Sequence, residues 1–197
     1  MTYELITALL AFAFVASITP GPNNLMLMAS GANFGIRRTL PHMLGVGIGF
    51  IVMIILVGVG LVQVFNAFPI SYTILKGVSV GYLIYLAWKI ATAQGFGQSA
   101  ASGNPFTFFQ AALFQWVNPN AWAMALTATS IYAPDQSISA ILMVAAAFGI
   151  VNVPSIGTWM VMGQQLRRWL TTAHRLRVFN GVMATLLLAS LYPVLFP

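Results

Sequence analysis

The chain has no cysteine, and its 197 residues include only two acidic residues and two histidines. Each shortage removes a chemistry. Without cysteine there is no thiol nucleophile, no zinc-thiolate site and no thiol pair to pass disulfides. The distant histidines His42 and His174 cannot join the acids Glu4 and Asp135 in a metal centre or an acid/base pair, and no base accompanies Ser17 or Ser30 to make a hydrolase. A heavy-metal cargo would lack soft or anionic ligands. The chain is therefore not expected to be an enzyme, and neither a metal nor a cofactor is expected.

Charge is scarce too. Only 5% of residues are charged and 59% are hydrophobic, and no charged residue lies between Arg38 and Lys76 or between Lys89 and Asp135. No soluble fold of this length keeps so little charge on its surface. Composition predicts an all-α polytopic membrane protein with about six transmembrane helices, read as one transporter domain over 1–197 with no room for a soluble domain. The spans are placed at Leu5 to Ser30, His42 to Val64, Tyr72 to Thr92, Phe106 to Tyr132, Ser137 to Gly163 and Phe179 to Phe196. The start carries Glu4 and no basic n-region, and it runs on apolar past Ser17, so the first segment is expected to be a retained helix.

What charge there is follows a topology rule. The net charge of +6 raises the question of nucleic acid, but seven of the eight basic residues (Arg37, Arg38, Lys89, Arg167, Arg168, Arg175 and Arg177) fall on one side of the predicted spans. Lys76 alone falls on the other. This positive-inside bias places the basic loops in the cytoplasm and both termini on the far, periplasmic face. Lipid is the expected partner and nucleic acid is not.

Three spans precede the loop around residues 93–105 and three follow it. Repeat one (1–92) and repeat two (106–197), joined by a cytoplasmic linker (93–105), must then cross the membrane in opposite directions as two inverted three-helix repeats. Sequence likeness between them is confined to a Pro/Asn break in the first helix of each and an interruption in the second, by Gly45, Gly47 and Gly49 in one half and by Asn152, Pro154 and Ser155 in the other.

The first-helix breaks carry the functional reading. Thr19, Pro20, Gly21, Pro22, Asn23 and Asn24 sit near the middle of the uncharged run from Leu5 to Ile36, and Asn118, Pro119 and Asn120 sit midway between Asn104 and Asp135. At about 1.5 Å rise per residue both breaks lie roughly 20 Å from either flank, near the midplane of a hydrocarbon core about 30 Å thick. Proline has no N–H and strips a hydrogen bond from the preceding turn, so the freed carbonyls need other partners. Gly21 lets the backbone turn, and Asn23 and Asn24 can cap the restarted half-helix or face a cavity. Half-helix N-termini favour a carboxylate and freed carbonyls favour an ammonium, which together match an amino acid zwitterion. The competing reading is a kink whose orphan groups are satisfied by neighbouring helices.

The stretch Thr19-Pro-Gly-Pro-Asn-Asn24, followed by Gly35, Arg37 and the second-span glycines, resembles the signature of the lysine exporter (LysE/RhtB) family of amino acid efflux proteins. Leu86-Ala-Trp-Lys-Ile-Ala-Thr92, within the run Gly81 to Lys89 and beyond, is similar to the branch that exports cysteine and O-acetylserine. Val117-Asn-Pro119 resembles the fourth-span motif, with Asn120 where a basic residue often follows. The resemblance covers nearly the whole chain. It implies a six-helix secondary exporter of the bacterial inner membrane, working outward on small amino acids and driven by the proton gradient.

With no carboxylate inside any span, a buried Asp/Glu proton relay is excluded, and a site for a cationic substrate would lack its counter-charge. Small neutral amino acids of the cysteine/O-acetylserine or homoserine/threonine type fit better; a non-transporting assembly subunit and an exporter of another small solute are the alternatives. His42, alone among the histidines near a span, is the candidate coupling residue, against an interfacial role. Lys89, beside Trp88, is a candidate for drawing in the substrate carboxylate, whereas Lys76 is expected to snorkel. Trp116, Trp122 and Trp159 lie deeper than an aromatic belt requires and are candidates to line the path. Small-xxx-small spacing at Gly45, Gly49, Gly77 and Gly81 is expected to close helices within one chain or between two, the second case being a homodimer.

Overall fold

The chain enters its first helix, α1 (Tyr3–Ile18), through Thr2, whose side chain accepts a hydrogen bond from the Leu5 N–H, with Glu4 in the first turn where the helix dipole favours an acid. The structure, a computed structural model, describes residues 2–61, 63, 67–68, 70–93 and 104–195. After α1 come α2 (Pro22–Phe34), α3 (Ile36–Leu56, continued by a π turn at Val57–Leu61), α4 (Ile70–Ala91), α5 (Phe108–Phe114, continued by a 3₁₀ turn at Gln115–Val117), α6 (Pro119–Tyr132), α7 (Ile138–Leu166), α8 (Ala173–Ala189) and the short α9 (Tyr192–Leu195). There is no strand among the described residues. Most of the expected linker, 94–103, and the predicted span ends at Val64 and Phe196 lie outside the described residues.

Among the described residues, three helices are long and apolar enough to cross a membrane: α3 with its π turn, α4 and α7. The pair α1 and α2, bent by 53° at the proline break, makes a fourth span if taken together. Large apolar side chains face outward along them, Phe14, Ile74, Val78 and Ile150 among them, as a lipid-facing surface requires. The predicted fourth span is not a single helix. It stops after Val117 and restarts at Pro119, because Pro119 cannot donate backward and Asn118 leaves the helical conformation at ψ 107°.

Glycine sets how closely the helices approach. Where α2 runs beside α7, a Cβ on Gly31 would strike the Met160 carbonyl oxygen and one on Gly163 the Met28 carbonyl oxygen. On α3, Gly45 and Gly49 meet Phe108 and Ala112 of α5 backbone to backbone. These two glycines therefore close helices within the chain, whereas Gly77 and Gly81 on α4 face open space. Helices α3 and α7 run antiparallel, with Met43 opposite Gly157, Ile51 opposite Gly149 and Gly58 opposite Ile141. Phe50 and Phe148 meet edge to face between them, 5.4 Å between ring centroids.

Two sequence expectations are corrected here. The second-span glycines and the Asn152-Pro154-Ser155 cluster do not interrupt their helices: α3 and α7 run through both without a break. At Gly45 and Gly49 the lost side chain is replaced by close contact with a neighbouring helix, and a single proline, Pro154, removes one backbone bond from a 29-residue helix without ending it. Helix α3 also begins earlier than expected, at Ile36, because Gly35 turns the chain from α2 to α3 in one residue at φ 80°, a conformation that favours glycine. Arg37 and Arg38 therefore sit in the first turn of α3, and His42 lies inside the helix.

Candidate functional site

Both breaks are built alike. A cap residue, a proline at the first helical position and an asparagine at the second open each half-helix: Gly21, Pro22 and Asn23 for α2, and Asn118, Pro119 and Asn120 for α6. Proline there loses nothing, since its N–H would have been unpaired in any case. At the second break Asn118 Oδ1 accepts from the Asn120 N–H at 3.1 Å. Gly21 has an extended backbone any residue could adopt, so its smallness is needed for space: a Cβ there would come 2.8 Å from Asn120 Nδ2.

The carbonyls freed by the prolines find donors in the protein. Asn24 Nδ2 donates to the Ser17 carbonyl at 2.8 Å and to the Thr19 carbonyl at 2.7 Å. The Trp159 indole of α7 donates to the Ile18 carbonyl at 3.1 Å. The second break uses the same device, with the Trp122 indole donating to the Trp116 carbonyl at 2.9 Å. Thr19 turns its hydroxyl back onto the Val15 carbonyl at 2.6 Å. Trp122 and Trp159 thus satisfy the breaks with their indole N–H groups, the neighbour-satisfied arrangement that the kink reading anticipated for the carbonyls.

The two breaks also meet. Asn23 Nδ2 donates to Gln115 Oε1 at 2.8 Å, and Gln115 Nε2 donates back to Asn23 Oδ1 at 3.1 Å and to the Ala111 carbonyl at 2.9 Å. This reciprocal amide pair joins residues from opposite halves of the chain, and Gln115 is wholly buried. Three polar atoms at the breaks are buried without a hydrogen-bond partner: Ser17 Oγ, Asn24 Oδ1 and Asn118 Nδ2. Asn152 Nδ2 on α7 is buried and unpartnered as well. Each such group is costly in an apolar interior unless something it binds completes it.

Of the remaining predicted residues, Pro20 is exposed and Pro22 buried. Lys89 and His42 do not join the breaks. They line a separate cavity of about 310 Å³ between α2, the start of α3, the end of α4 and the segment before α5, together with Ser30, Asn33, Trp88 and Phe106. Lys89 Nζ lies 5.2 Å from the centre of the Phe106 ring, whose other near neighbour is His42 at 5.3 Å between ring centres. His42 is buried, and both ring nitrogens lack partners. Asn104, at the same cavity, accepts from Arg38 Nη2 at 3.2 Å.

Sequence reading missed Gln115 and the place of Ser17 at the break, and it singled out Trp122 and Trp159 without their role as donors to freed carbonyls. Gln115 carried a signal, being an amide inside an apolar run one helical turn before Pro119, where an uncompensated polar group is expensive. Among the described residues, no three His, Asp or Glu side chains gather as a metal site.

Comparison with known proteins places this architecture. The chain is 26% identical over 192 residues to a cysteine/O-acetylserine efflux protein of Klebsiella pneumoniae, covering 95% of each chain. It is 27% identical over 191 residues to one of Escherichia coli K12 and 25% identical over 189 residues to one of Salmonella typhimurium, again over 95% of each chain. No solved structure matches it. The family model of the LysE type translocators matches residues 14–190. With almost its whole length matched, this helical membrane protein is a translocator and not an enzyme, and it belongs to the LysE type translocator family.

Proposed function

We propose that this translocator exports small neutral amino acids, of the cysteine/O-acetylserine or homoserine/threonine type, and that the zwitterion binds where the two helix breaks meet. The observation that carries this reading is the pair of atoms left over at that meeting point. Asn24 Oδ1 is a buried acceptor without a donor, and Asn118 Nδ2 is a buried donor without an acceptor. An ammonium supplies the first need and a carboxylate the second. The amide orientations follow from their other bonds, since Asn24 Nδ2 is committed to two carbonyls and Asn118 Oδ1 to a backbone N–H.

The half-helices α2 and α6 begin at the same layer, and their N-termini favour a carboxylate by about 0.3 to 1 kcal/mol, up to about 2 when partly buried. In this account the Asn23–Gln115 amide pair is the contact that substrate passage must open, and the two inverted three-helix repeats rock about it. The similar proteins named for cysteine/O-acetylserine efflux support the substrate class. So does the chain's lack of any acid other than Glu4 and Asp135, both at the ends of predicted spans, which leaves a cationic side chain without a counter-charge. The bias of the basic loops supports a cytoplasm on the side of Lys89 and both termini outside, in the inner membrane of a bacterium.

The test uses Asn24→Ala and Asn118→Ala protein in liposomes preloaded with unlabelled O-acetylserine, followed for uptake of labelled O-acetylserine. Both variants are expected to reach the membrane and lose exchange. Wild-type exchange rates in both would sink the site; exchange lost only in proportion to lost folded protein would support the kink reading instead.

A further inference from the structure

The cavity around Lys89 is not needed to explain the helix breaks, and its chemistry differs from theirs. Among the described residues Lys89 is the only charged side chain on its lining, and neither Glu4 nor Asp135 is part of it. The ammonium rests against the Phe106 ring instead of a carboxylate. Beside it His42 is buried with both nitrogens unpartnered, so in either neutral tautomer the imidazole offers one unused N–H donor and one unused acceptor. Ser30 and Asn33 add polar edges, and Trp88 with Phe106 gives an aromatic wall. A half-buried cation with no acid beside it on the cavity lining, an idle imidazole and about 310 Å³ of space describe a site waiting for an organic anion.

We propose that this cavity is a second ligand site, a carboxylate-binding subsite on the basic flank of the membrane. It takes small monocarboxylates, free or zwitterionic, through a charge-assisted hydrogen bond from Lys89 and a hydrogen bond from His42. Its place as the entry subsite for outgoing amino acids rests on the export reading; its binding chemistry does not. The site discriminates by charge: it holds a molecule with a free carboxylate and rejects the same molecule as an ester.

Purified protein is titrated with N-acetylserine, which keeps the carboxylate and lacks the ammonium, and with serine methyl ester, which has the reverse. Binding is read from tryptophan emission, with Trp88→Phe assigning the signal to the cavity. N-acetylserine is expected to bind wild type and Lys89→Arg and to weaken about tenfold or more in Lys89→Gln. Serine methyl ester is expected not to bind. Equal binding of the two probes, or N-acetylserine affinity unchanged in Lys89→Gln, would overturn the proposal. Because the titration needs no transport, its failure alongside intact exchange would remove the cavity site and leave the export reading standing; binding without exchange would do the opposite.

Discussion

Replacing Asn23 by alanine removes one side of the amide pair that joins the two halves of the chain. Two hydrogen bonds are lost, of 2.8 and 3.1 Å, and Gln115 Oε1 is left without its donor at a fully buried position. Side-chain hydrogen bonds between membrane helices average about 0.6 kcal/mol and reach about 1.7, so two of them are worth about 1 to 3 kcal/mol. Stranding a buried acceptor adds a penalty of similar size. Gln115→Ala costs more, since it also removes the bond to the Ala111 carbonyl. Combining the two substitutions should therefore destabilise by about 1 to 2 kcal/mol less than the sum of the singles, a factor of roughly 5 to 30 in the folding equilibrium. Unfolding of purified protein in mixed micelles of rising dodecyl sulfate content measures all four corners of this cycle. Strictly additive losses would refute the pair as a coupled unit, and with it the idea that opening the breaks means parting these amides.

Other outcomes follow from single residues. Gly163→Ala, whose new Cβ would strike the Met28 carbonyl, is expected to force α2 from α7 and cost folded protein in size-exclusion profiles; Gly181→Ala, in open space, should be neutral or stabilising by about 0.5 to 1 kcal/mol in thermal melts. Trp159→Phe keeps an aromatic side chain but removes the indole N–H and strands the Ile18 carbonyl, which should lower stability by about 1 kcal/mol in the same melts while a Trp169→Phe control does not. His42→Gln is expected to preserve exchange of O-acetylserine between liposome interior and bath and to abolish accumulation driven by a pH gradient; undiminished gradient-driven uptake would remove His42 from coupling. Asp135 is exposed, and the Ser137 hydrogen bonds hold its carboxyl below its ordinary value, so whatever it contributes is present above about pH 4 and lost only in stronger acid; Asp135→Asn should leave the exchange profile unchanged between about pH 5 and 8.

The breaks were legible because proline acts locally. Pro20, Pro22 and Pro119 lack N–H groups wherever the chain folds, so the interruptions at residues 19–24 and 118–120 could be read from sequence. What fills them could not, because the partners come from elsewhere. Trp159 is 141 positions from Ile18 and Gln115 is 92 from Asn23, and no local pattern announces either pairing. Pro154 shows the limit of the same rule: one proline in a long, well-packed helix costs a bond without breaking the helix, whereas Pro20 and Pro22 flank a glycine and end it. The burial of His42 was not legible, because it follows from the turn at Gly35, which starts α3 at Ile36 and carries His42 inside the helix. The glycines of α3 were visible as spacing, but whether they closed helices within the chain or between chains depended on where Phe108 and Ala112 lie.

Counterflow tests the proposed export of small neutral amino acids directly. Purified protein in liposomes, preloaded with one unlabelled amino acid at a time, is followed for counterflow of labelled O-acetylserine, cysteine, homoserine, threonine and lysine. Exchange of the small neutral amino acids with little or none of lysine is the predicted result. Folded protein that exchanges lysine as readily as O-acetylserine, or that exchanges none of the five, would rule out export of small neutral amino acids by this chain.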